Sequence, residues 1–512
     1  MTQLLTLGLD GAGWHKLDRM VRDGDLPNLE RMVEAGARGT LESVHPPVTC
    51  PAWRCSTSGK NPGKLGVFWW LDLDRGTGEL STPDATSFDT ADVWDYLSAA
   101  SHRVAVLNVP MTYPPPAVDG LAVAGFGAPF EFDVDGSLTH PPEEEARLRE
   151  EYGWAVGVDD VTAPGGAEAA YDCIRSRFEL LLDVLADGSY DYVHLTVFYI
   201  NVLQHKFGNG PETARGWRLI DDYLGKLPED LTTLVYSDHG HAHIDRTFVV
   251  NKYLADRGYL TFADSPGGGL TGGLYSALER AGISPRRAFH AGKRVLPDRL
   301  LERVVEAGYP VPTADLAGRV DWERTDALAL SQGPLYLNRD RLDDPETFRA
   351  ELRAELASLT VDGETPLAEV HPAEAVYEGP HVPEGPDLLL LAADGWELYG
   401  GLTPSTVERR VTSWTSGNHP DGVVLLQGPD IERGGLPDHS LVDIAPTVLR
   451  YLDCPVPNDV DGQAIESGFA GGLPEPGQQE PLGPGASRPA GGAEASDGEA
   501  LEQRLTDLGY LE

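Results

Sequence analysis

The sequence predicts an α/β protein built on a doubly wound, mostly parallel β-sheet that is flanked by helices. Short apolar runs end repeatedly at polar or glycine-containing turns, and helical stretches follow these turns along the chain. Strands that alternate with helices favour parallel pairing, because each helix carries the chain back to the same end of the sheet. With 512 residues, of which 41% are hydrophobic, the chain also exceeds one minimal core and leaves room for an inserted lobe.

The first strand is predicted at residues 4–9, an apolar run that ends at Asp10-Gly11-Ala12-Gly13. A helix is predicted over 27–36, because Pro27 suits a first helical turn and Gly36 suits the end of a helix. The apolar runs at 104–109, 192–198 and 232–236 predict three further strands. Functional groups of doubly wound sheets gather where the strands end at their carboxyl edges, so candidate site residues are expected there.

We expect four segments along the chain. Residues 1–263 form the first part of the core, and residues 319–467 form the second part. Between them, residues 264–318 read as an inserted helical lobe or cap, since a glycine-rich stretch is followed by a basic, helical sequence. Residues 468–512 are expected to be a low-complexity tail, rich in Gly, Pro, Glu and Ala, that ends in a short helix over about 500–508.

The formal net charge of −41 sets limits on the partners and the environment. A carboxylate excess of this size repels nucleic acid backbones and anionic membranes, so neither is an expected partner. Only seven of the 40 basic residues are lysine. An acidic, lysine-poor surface indicates a halophilic protein, because molar salt screens self-repulsion within ~3 Å; an ordinary acidic cytosolic protein is the alternative.

The cysteine count and the amino terminus point to a soluble, cytoplasmic protein. Four cysteines in 512 residues form neither a disulfide framework nor a CxxC metal motif. The start MTQLLTLGLDGAG lacks the basic region of a signal peptide. No stretch reaches the ~20 apolar residues that a membrane-spanning helix needs.

Two candidate site residues lie early in the chain. Asp10 follows the first predicted strand, although an aspartate before glycine also serves simply to form a turn. Thr49 follows Pro46-Pro47 in a constrained loop that enters a predicted helix, where it could act as a nucleophile or merely cap the helix.

Three further candidate pairs lie later. Asp238 and His239, directly after the strand at 232–236, offer an oxygen and an imidazole to one cation, and the sequence there continues Gly240-His241. Asn201 and His205 are spaced to share one helical face. Asn418 and His419 precede the apolar run VVLLQ. A capping asparagine and a surface histidine remain alternative readings of the last two pairs.

Taken together, these residues offer carboxylates, imidazoles and one hydroxyl at probable strand ends, which suits a pair of divalent cations. Two cations about 4 Å apart can activate a hydroxyl and hold both oxygens of an in-line phosphoryl displacement. The mixed nitrogen and oxygen ligands favour zinc first, with manganese or iron next.

The chain closely resembles the type I phosphodiesterase/nucleotide pyrophosphatase family of the alkaline phosphatase superfamily. The resemblance rests on these segments, in this order: GLDGAGW, LPNLERMVEAGARGTLESVHPPVTCPAWRCSTSGKNPGKLGVF, NVPMTYPPP, GFGAP, YSDHGH, VDWERTDALAL, GPLYLNRD, GPDLLLL, GNHPDGVVLLQGP and LVDIAPTVLRYLDCPVPNDVDG. They cover nearly all of residues 1–465. The resemblance implies an alkaline-phosphatase-like fold and a metal-dependent hydrolase for small-molecule phosphoesters.

The resemblance also implies roles for the candidate residues. Asp10, Thr49, Asp238 and His239 would surround one metal, and Thr49 would attack phosphorus as an alkoxide to form a covalent phospho-threonine intermediate. His205 and His419, with Asn201, would hold the second metal, which activates the water that releases the intermediate. The family usually has an aspartate where this chain has Asn201, so the second metal is expected to be held more weakly or to be a different ion.

Several alternatives stay open at this point. A non-catalytic or weakly active metal-binding relative would fit Asn201, and a phosphotransferase or a phosphomonoesterase would share the superfamily fold. A sulfatase is disfavoured, because in Cys50-Pro51-Ala52-Trp53-Arg54 the proline stands one place too early for the formylglycine motif. Cofactor-independent phosphoglycerate mutase is disfavoured by its serine nucleophile.

Overall fold

A large mixed sheet forms the centre of the protein in the computed structural model. The structure describes residues 2–129, 137–158, 160–262, 320–361, 363–403, 405–484, 486, 501–502, 505–506 and 508–511. Across this sheet the strands follow the order Gly434–Gly435, Ala37–Glu42, Asp421–Gln427, Thr232–Tyr236, Leu4–Leu9, Tyr192–Val197, Val104–Val109, Gly120–Ala124 and Thr139–His140, and His439–Ser440 also pairs with Ala37–Glu42.

The middle of the sheet is parallel, as the sequence predicts. Leu4–Leu9 pairs in parallel with Tyr192–Val197 on one side and with Thr232–Tyr236 on the other. Every residue of these three strands is buried. Strands buried along their whole length are typical of parallel sheets that are covered on both faces.

Antiparallel strands lie at both sides of this parallel region. Asp421–Gln427 runs antiparallel to Thr232–Tyr236 and to Ala37–Glu42, and Thr139–His140 runs antiparallel to Gly120–Ala124. The prediction of a mostly parallel, doubly wound sheet is confirmed, with an antiparallel strand inserted beside the strand that leads to Asp238.

Helices connect the strands and flank the sheet. In the described residues the α-helices are Trp14–Arg22, Pro27–Ala35, Thr49–Ser58, Pro62–Leu65, Val93–Ala99, Glu144–Tyr152, Gly166–Asp187, Tyr199–Phe207, Pro211–Leu224, Val250–Arg257, Pro345–Ala357 and Ile444–Tyr451, and the 3-10 helices are Trp322–Arg324, Ala373–Ala375 and Leu441–Asp443. Within the described ranges, no helix combines the length and the apolar character required to cross a bilayer.

Smaller sheets surround the central one. They are formed by Gly240–His243 with Ser416–His419; by Trp396–Tyr399, Arg246–Val249 and Val407–Glu408; by Ala327–Ala329, Pro334–Leu337, Leu388–Ala392 and Leu367–Pro372; by Val456–Pro457 with Gln478–Gln479; and by Asp72–Leu73 with Leu80–Ser81. The first of these matters most for the site, because it joins the segment after Asp238 to the segment that carries His419.

One continuous cluster of buried apolar side chains joins the two predicted parts of the core. It contains Leu7 from the first part and Leu425 from the second. The predicted lobe at 264–318 lies outside the described residues. The four-segment division stays a prediction, but the described residues of the predicted tail contact the core: Phe469 and Leu505 belong to the same cluster.

Candidate metal centre

Asp10 and Asp238 lie together at the carboxyl edge of the sheet. Asp10 directly follows the strand Leu4–Leu9, and Asp238 lies two residues beyond the neighbouring strand Thr232–Tyr236. The register pairs Gly8 with Tyr236, so the two strands end at the same level. Both carboxylates are completely buried. Asp10, Asp238 and His239 each present a ligand atom within 4.8 Å of the others, and together they could hold a metal ion.

Thr49 lies beside this cluster. It is the first residue of the helix Thr49–Ser58, whose ten residues are all buried, as the sequence-based placement of Thr49 at a helix entry predicts. The Oγ1 atom of Thr49 lies 3.2 Å from Nε2 of His239. That Nε2 atom is also 3.3 Å from Oδ2 of Asp238 and 3.8 Å from Oδ1 of Asp10. One hydroxyl, one imidazole and two carboxylates therefore converge on a single point.

The electrostatics of this point favour a bound cation. Burial raises the pKa of Asp10 well above its usual value, and the neighbouring charge of Asp238 raises it further, whereas a hydrogen bond from Trp53 opposes the shift. Burial also raises the pKa of Asp238, against the influence of His239 and of the Gly11 N–H group. Two buried carboxylates with oxygens within 4.8 Å of each other are costly to ionise together. A divalent ion bound between them would remove that cost.

Several buried polar atoms here have no hydrogen-bond partner within the protein. They are Asp10 Oδ1, Asp238 Oδ2, Asn201 Oδ1, His205 Nε2 and His241 Nδ1. Buried polar groups are nearly always paired, so five unpaired atoms at one edge of the sheet mark a place where another group binds. Each of the five can present a lone pair to a metal, the two histidines in the tautomer that leaves the nitrogen in question unprotonated, and the oxygen and nitrogen donor set fits a divalent cation.

Asn201 and His205 share one face of the helix Tyr199–Phe207, as their spacing predicts. The Nδ1 atom of His205 lies 2.8 Å from the carbonyl oxygen of Ser416. Donation from Nδ1–H to that oxygen leaves the Nε2 lone pair available as a ligand. The ring also stacks on Trp414, with centroids 3.5 Å apart and an interplanar angle of 14°. Its orientation is therefore fixed from two sides.

His241 is a site residue that the sequence analysis did not assign as a ligand. It is buried, and its Nε2 atom lies 3.2 Å from Nδ1 of His205. Burial lowers the pKa of both histidines well below the usual value, which keeps both imidazoles neutral. The sequence contained an indication of this role. His239 and His241 are two residues apart, which is the spacing of side chains on one face of a strand.

Gly11 shows that Asn201 and His241 point to the same place. Its φ angle is +68°, and a Cβ atom there would lie 2.7 Å from both Asn201 Oδ1 and His241 Nδ1. Only glycine permits this conformation and this approach. The tight turn predicted after Asp10 thus makes room for a second donor pair.

The structure does not bring His419 into the cluster of Asp10, Asp238 and His239. The side chain of His419 is 32% exposed, and its Nδ1 atom accepts a hydrogen bond of 3.1 Å from the Asp421 backbone N–H. It lines a cavity of about 610 Å³ together with His241. The role of His419 as a metal ligand therefore stays a prediction.

The fold is alkaline-phosphatase-like, and the buried carboxylates and imidazoles at the edge of its sheet could hold a metal ion. The sequence pattern of one family, described as Type I phosphodiesterase / nucleotide pyrophosphatase, matches residues 4–420. The chain belongs to this family and is a phosphoric ester hydrolase of the phosphodiesterase/pyrophosphatase type.

Solved structures agree on the fold. Phosphonoacetate hydrolase from Sinorhizobium meliloti 1021, in complex with phosphonoacetate, is similar with a TM-score of 0.56 and 16% identity, over 87% of this chain and 94% of that one. The same enzyme in complex with phosphonoformate gives a TM-score of 0.53 at the same identity and coverage. No match was found among the curated proteins.

Proposed function

We propose that the protein hydrolyses small-molecule phosphoesters through a covalent phospho-threonine intermediate on Thr49. The observation that carries the proposal is the position of the Thr49 hydroxyl, 3.2 Å from His239 and beside the buried Asp10 and Asp238. A hydroxyl in such surroundings serves either as a structural hydrogen-bonding group or as a nucleophile. The five unpaired atoms at this edge of the sheet, which could act as metal ligands, favour the role of nucleophile in a metal-dependent site.

Asp10, Asp238 and His239, with the Thr49 oxygen, would hold one divalent ion. Asn201 and His205 would hold a second, with His241 or the predicted ligand His419. When bound, such ions supply positive charge that lowers the pKa of the hydroxyl and neutralises the phosphoryl oxygens. Zinc suits the mixed donors best, with manganese or iron next.

The reaction has two displacements. In the first, Oγ1 of Thr49 forms a bond to phosphorus, the bond to the leaving oxygen breaks, and the threonine proton ends on the leaving alcohol. In the second, water attacks the same phosphorus, the bond to Oγ1 breaks, and Thr49 regains a proton. A diester yields an alcohol and a phosphomonoester. The helix Thr49–Ser58 holds the nucleophile in place throughout.

The test is hydrolysis of bis-p-nitrophenyl phosphate with zinc or manganese at high salt, where the acidic composition leads us to expect the folded protein. Thr49→Ser keeps a hydroxyl, whereas Thr49→Val keeps the shape and loses it. We expect Thr49→Val to lower kcat by at least about 10³-fold, and Thr49→Ser to retain turnover and to yield a phosphorylated protein by mass spectrometry after acid quenching. Equal activity of Thr49→Val and the wild type would refute the proposal.

A panel of substrates separates the remaining readings. Phosphodiesters, nucleotide pyrophosphates, phosphomonoesters and phosphonoacetate should be compared, because the monoesterase and phosphotransferase alternatives share the fold. We expect the diesters or pyrophosphates to have the highest kcat/KM. If no divalent ion supported turnover of any compound, a metal-binding relative without catalysis would replace the enzyme, and the neutral Asn201 would be the reason.

A cytoplasmic location is also proposed, on the grounds of the acidic composition and the four free, buried cysteines.

A further inference from the structure

The carboxy-terminal end of the chain packs into the interior of the protein. We call residues 501–511 the terminal segment; the structure describes 501–502, 505–506 and 508–511 of it. Its apolar side chains are almost completely buried: Leu501, Leu505, Leu508, Tyr510 and Leu511. The preceding Gly/Pro-rich composition predicts a tail without a core of its own, so this degree of burial indicates a specific docking site for the end of the chain.

One buried residue of the terminal segment, Tyr510, lies close to Thr49. The hydroxyl of Tyr510 accepts a hydrogen bond of 3.0 Å from Nδ2 of Asn201, and the same Nδ2 lies 3.5 Å from Oγ1 of Thr49. Aromatic rings surround the phenol: Trp70, Trp414, His205, Phe126 and Phe198.

Trp414 links the docking of the terminal segment to the metal centre. Its indole Nε1–H donates a hydrogen bond of 3.0 Å to the carbonyl oxygen of Leu508, and its ring stacks on His205. Gly509 follows with a φ angle of +94°, and a Cβ atom there would lie 2.6 Å from the indole Nε1. Only glycine fits against the indole at this position. A side chain at residue 509 would therefore collide with Trp414 and prevent Tyr510 from reaching its place beside Asn201.

The site is closed to solvent in the structure in which the terminal segment is docked. Thr49, Asp10 and Asp238 have no exposed surface. A phosphoester must bring its phosphorus atom to Oγ1 of Thr49, and the Tyr510 phenol stands next to that atom. Tyr510 and a substrate therefore compete for the same space.

We propose that the terminal segment is an intramolecular plug, which occupies the active site through Tyr510 and withdraws when substrate enters. The plug rests on the proposed function only for the identity of the competing ligand. Because the segment is tethered to the core, its effective concentration at the site is on the order of millimolar. When only a fraction of molecules is open, the apparent affinity for substrate falls by that fraction. The plug thus raises KM and leaves the chemical step alone.

The decisive variant is Gly509→Ala, compared with Gly477→Ala. Gly477 has nearly the same φ angle, +93°, but a Cβ atom there meets nothing within 4 Å, so it reproduces the backbone strain without the collision with Trp414. We expect Gly509→Ala to lower KM about ten-fold with kcat within about two-fold of the wild type, and Gly477→Ala to change neither. Leu505→Asp places a charge on the buried face of the terminal segment, and it should lower KM to a similar extent as Gly509→Ala.

Hydrogen exchange gives a readout that does not depend on turnover. In Gly509→Ala, peptides covering 46–58 and 501–512 should exchange faster than in Gly477→Ala, because the plug no longer covers the start of the helix that carries Thr49. Faster exchange with an unchanged KM, or with a large fall in kcat, would overturn the plug. Unchanged exchange in both Gly509→Ala and Leu505→Asp would overturn it too. If every form, including the wild type, failed to hydrolyse any phosphoester, the proposed function would be refuted. The exchange measurements would still show whether the terminal segment covers the site.

Discussion

The indole Nε1–H of Trp53 donates a hydrogen bond of 2.8 Å to Oδ2 of Asp10. This bond fixes the orientation of the carboxylate and leaves Oδ1 as the unpaired oxygen that faces Asp238 and His239. Trp53 comes from the helix that carries Thr49, so a single helix supplies both the proposed nucleophile and the group that orients a proposed metal ligand.

We predict that Trp53→Phe weakens metal binding about ten-fold or more, since partners that orient a metal ligand commonly contribute this much. Loss of the hydrogen bond also removes one of the influences that lower the pKa of Asp10. The measurement is a competition titration against a chromophoric chelator. Trp94→Phe is the control, because Trp94 is equally buried and also lies edge-on to His194. Equal losses in both variants would assign the effect to core packing.

We predict that Asn201→Asp increases metal binding at the second donor set. A carboxylate adds a negative charge where the wild type offers one neutral oxygen, so a divalent cation should bind at least about ten-fold more tightly. Metal content after dialysis should rise from about one to about two ions per chain. Asn201→Leu, which keeps the size and loses the oxygen, should show no such rise. A metal content in Asn201→Asp no higher than in Asn201→Leu would remove Asn201 from the site.

His241 and His243 provide a matched pair on one strand. The first is buried against His205, whereas the side chain of the second is 64% exposed. We expect His241→Ala to lower kcat/KM by about 10²-fold or more and to lower metal content, because a donor atom of the second set is lost. His243→Ala should stay within about two-fold of the wild type. If the two variants behaved alike, His241 would have no part in the site.

The raised pKa of Asp10 predicts how the metal-free protein responds to pH. An acid whose folded pKa lies above its unfolded value stabilises the fold while it is protonated, and that contribution is lost as pH rises through the folded pKa. The lowered pKa values of His205 and His241 act only below the usual histidine range, so they add nothing above about pH 7. A bound divalent ion would balance the charge of ionised Asp10 and remove this cost.

The rise in Tm on adding zinc should therefore grow with pH, by about 1–3 °C per pH unit over the range in which Asp10 loses its proton in the metal-free protein. Differential scanning calorimetry of chelated and zinc-loaded protein between about pH 6 and about pH 9 measures it. Asp10→Asn removes the titrating group, and its metal-free form should lose this part of the pH dependence. A constant difference in the wild type across the range would contradict a proton-carrying Asp10.

The central strands were predictable because their signals are local. The bounds Val104–Val109 and Thr232–Tyr236 coincide with the predicted ranges, since each is a short, mostly apolar or β-branched stretch. The strand ends predicted only that site residues gather at the carboxyl edge of the sheet, whereas the family resemblance implied that Asp10 and Asp238 share one metal. The antiparallel pairing of Asp421–Gln427 was not predicted, because pairing direction depends on the path of the chain through distant segments.

Tyr510 could not be predicted as a neighbour of the site. It lies 309 residues from Asn201 in sequence and follows a tract whose composition predicts no packing. Only the tertiary fold, through the aromatic rings that surround the phenol, brings it there. His241 is an intermediate case: its alternation with His239 was visible, but its contact with His205 depends on where the helix Tyr199–Phe207 lies.

The complete burial of the helix Thr49–Ser58 has a consequence for the versatility of the protein. All ten of its residues are enclosed, so its starting point cannot shift without repacking the interior. The oxygen of Thr49, the proposed nucleophile, thus keeps a fixed position while exposed loops can vary in length and sequence. New substrates could then be acquired by altering the rim of the site alone, while the reacting centre stays as it is.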